Sequence, residues 1–161
     1  MRRSTRLVML LLLVFLSACR AKPPYEGKSA AELEQMLRGP NPAAQAQGAF
    51  GLSRLGPEAR AAVPALIAAL KKDRLVRKNA ALALGQIGPG ARDAVPALSE
   101  ALGDSEWAVR RQAALALGQI GPEARKAIPA LQKVSRDPDP LVRQSAQKAL
   151  KQIGVSPGVP Q

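Results

Sequence analysis

Residues 74–104 read RLVRKNAALALGQIGPGARDAVPALSEALGD, and the features of this stretch return along the chain at a nearly constant interval. A Val-Arg pair begins at Val76, Val109 and Val142, in steps of 33 residues. The glycines that close the same unit lie at Gly56, Gly88, Gly121 and Gly154. A period in the low thirties with helical spacing inside it is typical of an α-solenoid, in which each helix pair buries its apolar face against the next pair. The stretch therefore predicts an all-α repeat protein.

The composition narrows the class of function. The chain has 161 residues, of which 47% are hydrophobic and 22% are charged, and this balance is typical of one globular domain. Histidine is absent, which excludes His-based general bases, Ser-His triads and His metal sites. The single cysteine excludes an internal disulfide. Aromatic residues are so few that the core must be filled by Ala, Leu, Val and Ile.

Residues 1–18 have the pattern of a bacterial signal peptide. Arg2, Arg3 and Arg6 form a basic segment, and an unbroken apolar run of ten residues from 7 to 16 follows. Ten helical residues span about 15 Å, which is half of the hydrocarbon thickness of a bilayer. The run therefore predicts a cleavable signal rather than a membrane span.

The segment Leu16-Ser17-Ala18-Cys19 resembles the lipobox of bacterial lipoproteins. The resemblance implies cleavage before Cys19 and a diacylglycerol on its thiol. It also favours the outer membrane, facing the periplasm, in a cell that has one, because Arg20 stands where an aspartate is associated with inner-membrane retention. The alternative is an ordinary signal followed by a chance cysteine. We expect lipid attachment at Cys19 and anchoring in the cell envelope.

The rest of the chain is strongly basic. The whole sequence has a formal charge of +12, which falls to +9 if Arg2, Arg3 and Arg6 leave with the signal. In a cytosolic protein this excess would suggest a nucleic-acid partner. Outside the cytoplasm the available polyanions are cell-wall polymers, lipopolysaccharide, phospholipid headgroups and acidic proteins. Export therefore predicts no nucleic-acid partner and leaves anionic envelope polymers as possible ligands.

The sequence after the signal divides into three parts. Residues 19–28 are predicted to form the lipidated cysteine and an extended tether, 29–154 the repeat domain, and 155–161 a disordered tail. The leading helices of four pairs are predicted near residues 29–38, 58–72, 91–102 and 123–136. The trailing helices are predicted near residues 42–55, 74–87, 106–120 and 140–153. Val76, Ala80 and Leu84 fall on one face of the second trailing helix, which predicts an apolar stripe toward its partner.

Capping residues mark the predicted helix starts. Ser29 and Glu32 form a capping-box pattern. Asn41 and Asp139 each precede a proline at the first helical position, and Asp73 holds the same slot without a proline. The third pair offers no cap in this register. The Gly-Pro pairs at 56, 88 and 121 are expected to separate helices, and Pro64, Pro96 and Pro129 are expected to bend the leading helices by removing one hydrogen bond each.

The repeated motif carries a family resemblance. D-x-x-V-R-x-x-A-A-x-A-L-G-x-I-G followed by A-x-P-A-L-x-x-A-L is similar to the short HEAT-like repeat first described in phycobilisome lyases. It covers about residues 29–154, although Ala44-Gln45 replaces Val-Arg in the first pair and Lys151 replaces a glycine in the fourth. Degenerate end repeats are usual in such arrays. The resemblance implies a right-handed superhelix of about four stacked helical hairpins.

The resemblance does not imply an enzyme. The chain resembles the phycobilisome lyases only in its repeat motif, and this resemblance does not extend to the lyase activity. Deoxyhypusine hydroxylase, another enzyme with such repeats, needs His-Glu metal ligands, which a chain without histidine does not supply. We therefore expect no catalytic residue, no metal and no cofactor.

One arginine recurs at the same slot of three trailing helices, as Arg77, Arg110 and Arg143. In the family this arginine usually ties the inter-helix turn by bonding an acid or a carbonyl of the adjacent repeat. Asp73, Asp104 and Asp139 are the acids expected to serve. A structural role is predicted, with Arg110 directed at Asp104 or Asp139. The alternative is an anion-binding column.

Outward positions of the trailing helices are the candidate partner-binding residues. They are Lys78, Trp107, Arg111, Gln144 and Lys148, with Ala81, Ala114, Gln147 and Lys151 expected on the same surface. Trp107 is the strongest candidate, because the corresponding position is Arg74 in the second pair and Pro140 in the fourth, so the fold does not require a tryptophan there. An exposed tryptophan beside arginine is a common interface anchor. The alternative is a tryptophan that lies flat over an inter-repeat turn.

The sequence therefore predicts a membrane-anchored, non-catalytic scaffold that binds a protein partner of unknown identity. The alternative is a polyanion-binding module that holds cell-wall polymer, lipopolysaccharide or phospholipid headgroups through its basic surface. The salt dependence of binding distinguishes the two hypotheses, because screening of charges by salt weakens a purely electrostatic complex far more than a packed interface.

Overall fold

A computed structural model describes residues 22–154, and all regular structure within this range is helical. Eight α-helices lie between residues 22 and 154: α1 Ala30–Arg38, α2 Pro42–Leu55, α3 Val63–Ala69, α4 Arg74–Ile87, α5 Val95–Ala101, α6 Trp107–Ile120, α7 Ile128–Val134 and α8 Pro140–Ile153. Three 3₁₀ segments, Gly56–Ala62, Gly88–Ala94 and Gly121–Ala127, precede α3, α5 and α7. The predicted signal, Cys19 and the predicted tail lie outside the described residues. None of the described helices is long and apolar enough to cross a membrane.

The helices form an α-solenoid of four pairs, as predicted. The trailing helices α2, α4, α6 and α8 have 14 residues each and pack side by side along the array. The leading elements pack over them. Val76, Ala80 and Leu84 are fully buried, which confirms the apolar stripe on α4.

The leading elements of the second to fourth pairs are not the continuous α-helices that the sequence predicts. Each is a seven-residue 3₁₀ segment followed by a seven-residue α-helix. Pro64, Pro96 and Pro129 stand in the first two positions of these α-helices. An N–H at that position has no intrahelical acceptor, so the prolines break no helical hydrogen bond. The expectation that they bend the helices from inside is wrong.

Most of the predicted boundary chemistry is present. The capping box of Ser29 and Glu32 is complete, and the side chains of Asn41 and Asp139 each accept two backbone N–H bonds. Asp73 occupies its predicted N-cap position but makes no side-chain capping bond. Gly88 has φ +68°, a backbone conformation that side chains with a Cβ rarely adopt, and Gly56 and Gly121 repeat it.

Two alanines predicted to face outward are buried. Ala81 and Ala114 are fully inaccessible, because each trailing helix is covered by its neighbours in the array as well as by its leading partner. The packing is close: a Cβ on Gly85 would lie 2.9 Å from the Cα of Ala116. Small residues on the helix flanks permit this approach. The prediction that Ala81 and Ala114 face outward is therefore wrong, because α4 and α6 are buried on several sides.

The predicted tether is partly folded onto the domain. Residues 24–27 form a turn, in which the Glu26 N–H donates to the Pro23 carbonyl at 2.9 Å. The ring of Tyr25 lies edge-on to that of Phe50 in α2, with centroids 5.1 Å apart. The expectation of an extended tether through residue 28 is therefore wrong, because the apolar ring has a partner on the first trailing helix.

Candidate functional site

The recurring arginines join successive repeats. Arg77 donates from Nε and Nη2 to the two carboxylate oxygens of Asp104 at 2.7 and 3.0 Å. Arg110 holds Asp137 in the same way at 2.8 and 2.9 Å. In each case the third nitrogen, Nη1, donates to backbone carbonyls of the turn that precedes the arginine's own helix. Each arginine thus fixes one turn of its own repeat and one of the next.

The acid partner of Arg110 differs from the predicted one. Arg110 was expected to meet Asp104 or Asp139, but its carboxylate partner is Asp137. Asp104 and Asp137 are 33 residues apart and share one slot, two residues before the N-caps Glu106 and Asp139. Asp73 and Asp139 occupy the N-cap slot instead, so the prediction that placed all three aspartates in one group is wrong. Alignment on the first helical residue of each trailing helix would have separated them.

Asp137 is buried and Asp104 is partly buried, and both are held ionised. Hydrogen bonds from Arg110 are the largest cause that lowers the pKa of Asp137 below its ordinary value, and they outweigh the effect of burial. For Asp104, burial opposes ionisation most strongly, but bonds from Arg77 and from the Glu106 N–H still leave its pKa lowered. The side chains of Arg110 and Asp137 are 15% and 6% exposed, so solvent screens this pair weakly.

The column changes at both ends. In the first repeat Gln45 takes the arginine slot, and its Nε2 donates to the carbonyl of Gly39. Gln45 thus bonds the turn before its own helix, as the arginines do, but it binds no carboxylate of the next repeat. In the fourth repeat, Arg143 donates from Nη1 to the Asp137 and Pro138 carbonyls at 2.8 and 2.9 Å. Within residues 22–154 no carboxylate pairs with it.

Three of the five predicted partner-binding residues line one groove between α6 and α8. The groove measures about 510 Å³ and is lined by Arg111, Leu115, Gln144, Ser145, Gln147, Lys148 and Lys151. Its lining contains three cations and no carboxylate. We call it the basic groove. Arg111, Gln144 and Lys148 were predicted for it, whereas Leu115 on its wall was not singled out.

The other two candidates lie outside the groove lining. Trp107 is 43% exposed and begins α6 one turn before Arg111, on the same side of that helix. Lys78 is exposed on α4 and holds the slot that Arg111 and Gln144 fill in the next two repeats. Stacked helices lie 8 to 10 Å apart, so this slot traces a line of roughly 20 Å across three trailing helices.

A second concavity, at the opposite end of the array, was missed by the sequence analysis. It measures about 450 Å³ and lies between the folded part of the predicted tether and α2. Tyr25, Phe50 and Arg54 contribute to its wall. A signal was available: aromatics are rare in this chain, and one of them stands in the predicted tether. No cluster of three or more metal-ligating side chains occurs in the part of the chain that the structure describes.

Comparison with protein families gives one match. The family model for HEAT repeats matches residues 30–104 and 89–151, which together cover most of the chain. No curated protein sequence matches the chain significantly.

Solved structures with similar folds include enzymes and repeat scaffolds. Human deoxyhypusine hydroxylase is 34% identical over 81% of this chain and 45% of its own, with a TM-score of 0.61. The CpcE–CpcF complex of phycocyanin lyase from Nostoc sp. is 24% identical over 85% of this chain and 70% of that one, with a TM-score of 0.57.

A designed armadillo repeat protein in complex with the peptide (KR)4 is 18% identical, over 77% of this chain and 64% of its own, with a TM-score of 0.68. The chain spans less than two thirds of the length of this and two other engineered proteins that it resembles.

Proposed function

The chain belongs to the HEAT repeat family, and we propose that it is a membrane-anchored, non-catalytic scaffold that binds a protein partner through the surface of its trailing helices. The basic groove carries this proposal. Arg111, Gln144 and Lys148 were predicted from the repeat register as outward positions of the trailing helices, and these three exposed residues line one groove. Residues that a fold does not need, gathered on one concave surface, are candidates for binding.

Trp107 favours a protein as the ligand over a simple polyanion. A half-exposed indole one turn from Arg111 offers an apolar contact that cell-wall polymer or lipopolysaccharide does not need. Repeat proteins of similar fold are also seen with protein ligands: one is bound to the peptide (KR)4, and another is a complex of two chains. The positive charge of this chain still makes polyanion binding the second candidate function.

We further propose that the anchor is a lipid on Cys19 and that the anchor holds the first repeat close to the membrane. Only residues 20–22 separate Cys19 from Pro23, where the packed turn begins. Three extended residues reach about 10 Å. Lys22, Lys28 and Arg54 lie at this end of the array, where they would meet anionic headgroups.

We propose that the protein has no catalytic activity. The hydroxylase and the lyase show that this repeat fold occurs in enzymes. This chain has no histidine, and its arginine-bound aspartates are occupied in joining repeats. The polar side chains that line the basic groove are cations, amides and the hydroxyl of Ser145, which donates to the Leu141 carbonyl; this set suits recognition better than proton transfer.

The function is tested by capture with the lipidated protein at two salt concentrations. Wild type, Trp107→Ala and Arg111→Ala are compared with Arg125→Ala, an exposed arginine on the leading side, as the matched control. A scaffold retains its protein partner at about 0.3 M salt, where the Debye length is under 8 Å, and loses it with Trp107→Ala or Arg111→Ala only. Salt-labile binding that all arginine changes weaken equally would favour the polyanion module instead.

The anchor is tested with Cys19→Ser. We expect the variant to move from the membrane fraction to the soluble one or to remain as uncut precursor, because the apolar run of ten residues does not span a bilayer. Normal processing with retention in the membrane would disprove lipid attachment at this residue.

A further inference from the structure

The arginine column repeats one contact twice and leaves its third member without a carboxylate. Arg77 and Arg110 each hold an aspartate of the following repeat through Nε and Nη2. Arg143 is fixed by the same type of Nη1 bonds to turn carbonyls as Arg110. The planar fork of Arg143 is therefore oriented like its two counterparts, and no acid from residues 22–154 fills it.

The surface around Arg143 is polar where the preceding repeats are packed. Gln147 takes the slot of Ala114, and Lys151 takes that of Gly118. A Cβ on Gly118 would lie 2.9 Å from the Cα of Ala149, so this slot in α6 faces the next trailing helix at close range. In α8 the same slots are exposed and carry longer polar side chains. This surface does not suit close packing of another repeat of the same kind.

We propose that this end surface, formed by Arg143, Gln147, Lys148 and Lys151, docks an acidic segment of a partner protein, with one carboxylate bound by Arg143 as Asp104 and Asp137 are bound by Arg77 and Arg110. The inference rests on the proposed scaffold function and narrows its partner to an acidic one. Lys148 and Lys151 also line the basic groove, so the end surface and the groove are continuous.

The charges select this occupant over a second copy of the chain. A copy stacked head to tail would present the turn before α2, whose N-cap is Asn41. The residue two positions before that cap is Gly39, where the paired repeats have Asp104 and Asp137. The copy thus brings no carboxylate to Arg143. Asp137, which lies near Arg143, is already held by Arg110.

The chain itself suggests the variant that separates binding from folding. Gln45 fills the arginine slot of the first repeat and keeps the turn contact without a fork. Arg143→Gln should likewise keep the turn tied while it removes the bidentate site. Arg125→Gln makes the same change in charge at an exposed position of the same repeat and is the matched control.

The probe is a fluorescein-labelled hexaglutamate peptide, with hexalysine as the negative probe, in fluorescence anisotropy with the full chain. Loss of a bidentate charged contact should weaken hexaglutamate binding by about tenfold in Arg143→Gln, with little change in Arg125→Gln. The Nε–Hε NMR signal of Arg143, but not that of Arg125, should shift on titration. Unchanged thermal unfolding of Arg143→Gln shows that the loss is local.

Three results would overturn the inference. They are no binding of hexaglutamate by wild type, equal weakening by the two glutamine variants, and an effect of Arg143→Gln on anionic phospholipid vesicles alone. If a captured partner survives Arg143→Gln but is lost with Trp107→Ala, the scaffold function stands and the acidic end site fails. If no protein partner exists at all, both fail.

Discussion

The trailing helices α6 and α8 have the same length and the same register, and their differences separate what a repeat needs for itself from what it needs for a neighbour. Both keep Val-Arg near the start, and both bury the valine and the alanine of the stripe, Val109 and Ala113 in α6 and Val142 and Ala146 in α8. Only α6 has Ala114 and Gly118 on its flank, where α8 follows; α8 has Gln147 and Lys151 in those slots.

The comparison shows that the small residues and the aspartates of this motif belong to the interface between repeats. The apolar stripe is required within every pair, so it persists in α8. The flank of α6 is small because the backbone of α8 approaches it, whereas no backbone from residues 22–154 approaches the polar flank of α8. Substitutions at matched slots of the two helices should therefore have unequal effects.

The largest difference is expected for leucine truncation. Leu117 is fully buried in α6, whereas its counterpart Leu150 in α8 is only partly buried. Leu117→Ala should lower the free energy of unfolding by about 2 to 5 kcal/mol, because it leaves a cavity between stacked pairs. Leu150→Ala should cost clearly less. Chemical denaturation of both variants measures the difference, and equal losses would show that α6 and α8 are packed alike.

The arginine column should give the next largest difference. Arg110→Gln removes the partner of a buried carboxylate and should cost about 2 to 3 kcal/mol, the usual penalty for stranding a charged group. Arg143→Gln strands none of the described carboxylates and should stay within about 0.5 kcal/mol of wild type. Thermal unfolding distinguishes them. A loss in Arg143→Gln as large as in Arg110→Gln would mean that the turn bonds, rather than the aspartate, carry the energy.

A small-to-large change at the flank tests the interface directly. Gly118→Val should cost about 1 to 3 kcal/mol, because the Ala149 backbone lies where the new side chain must go. Lys151→Val, at the matched slot, meets solvent and should change stability by about 0.5 kcal/mol or less. Similar losses in both would mean that α8 is covered in solution by a structure not seen in residues 22–154.

The sequence predicted the fold well because a periodic motif constrains every repeat alike. All eight described α-helices start within about five residues of the prediction, and α3, α5 and α7 each follow a 3₁₀ segment that overlaps a predicted helix. The 3₁₀ segments themselves were not predicted, since helical periodicity does not distinguish them from α-helix over seven residues. Tyr25 was placed in a tether because its partner Phe50 is 25 residues away.

The candidate site was predictable only in part. Exposure of Arg111 and Lys148 followed from the repeat register, because charged side chains rarely stack between helices. Ala81 and Ala114 were misplaced because alanine tolerates both environments, and only the neighbouring repeat decides between them. The Arg110–Asp137 pair joins residues 27 positions apart, a contact that the motif suggests only after the slots are aligned.

The smallest effect that we expect is a difference in acid stability between the two arginine variants. The native pKa of Asp137 is lowered chiefly by Arg110, so its carboxylate stabilises the fold above the unfolded pKa of about 3.9, and this contribution is lost as the pH falls through the native value. Wild type and Arg143→Gln should both lose this contribution in the acid range. Arg110→Gln lacks most of it already, so its deficit relative to wild type should shrink as the pH drops below about 4. Denaturation midpoints between pH 7 and pH 2.5 would measure the difference in stability between wild type and Arg110→Gln. If this difference stays constant across that range, hydrogen bonds that do not depend on the charge of Asp137 hold the repeats together. By the same argument, Arg143 would then have no reason to prefer a carboxylate over a neutral partner.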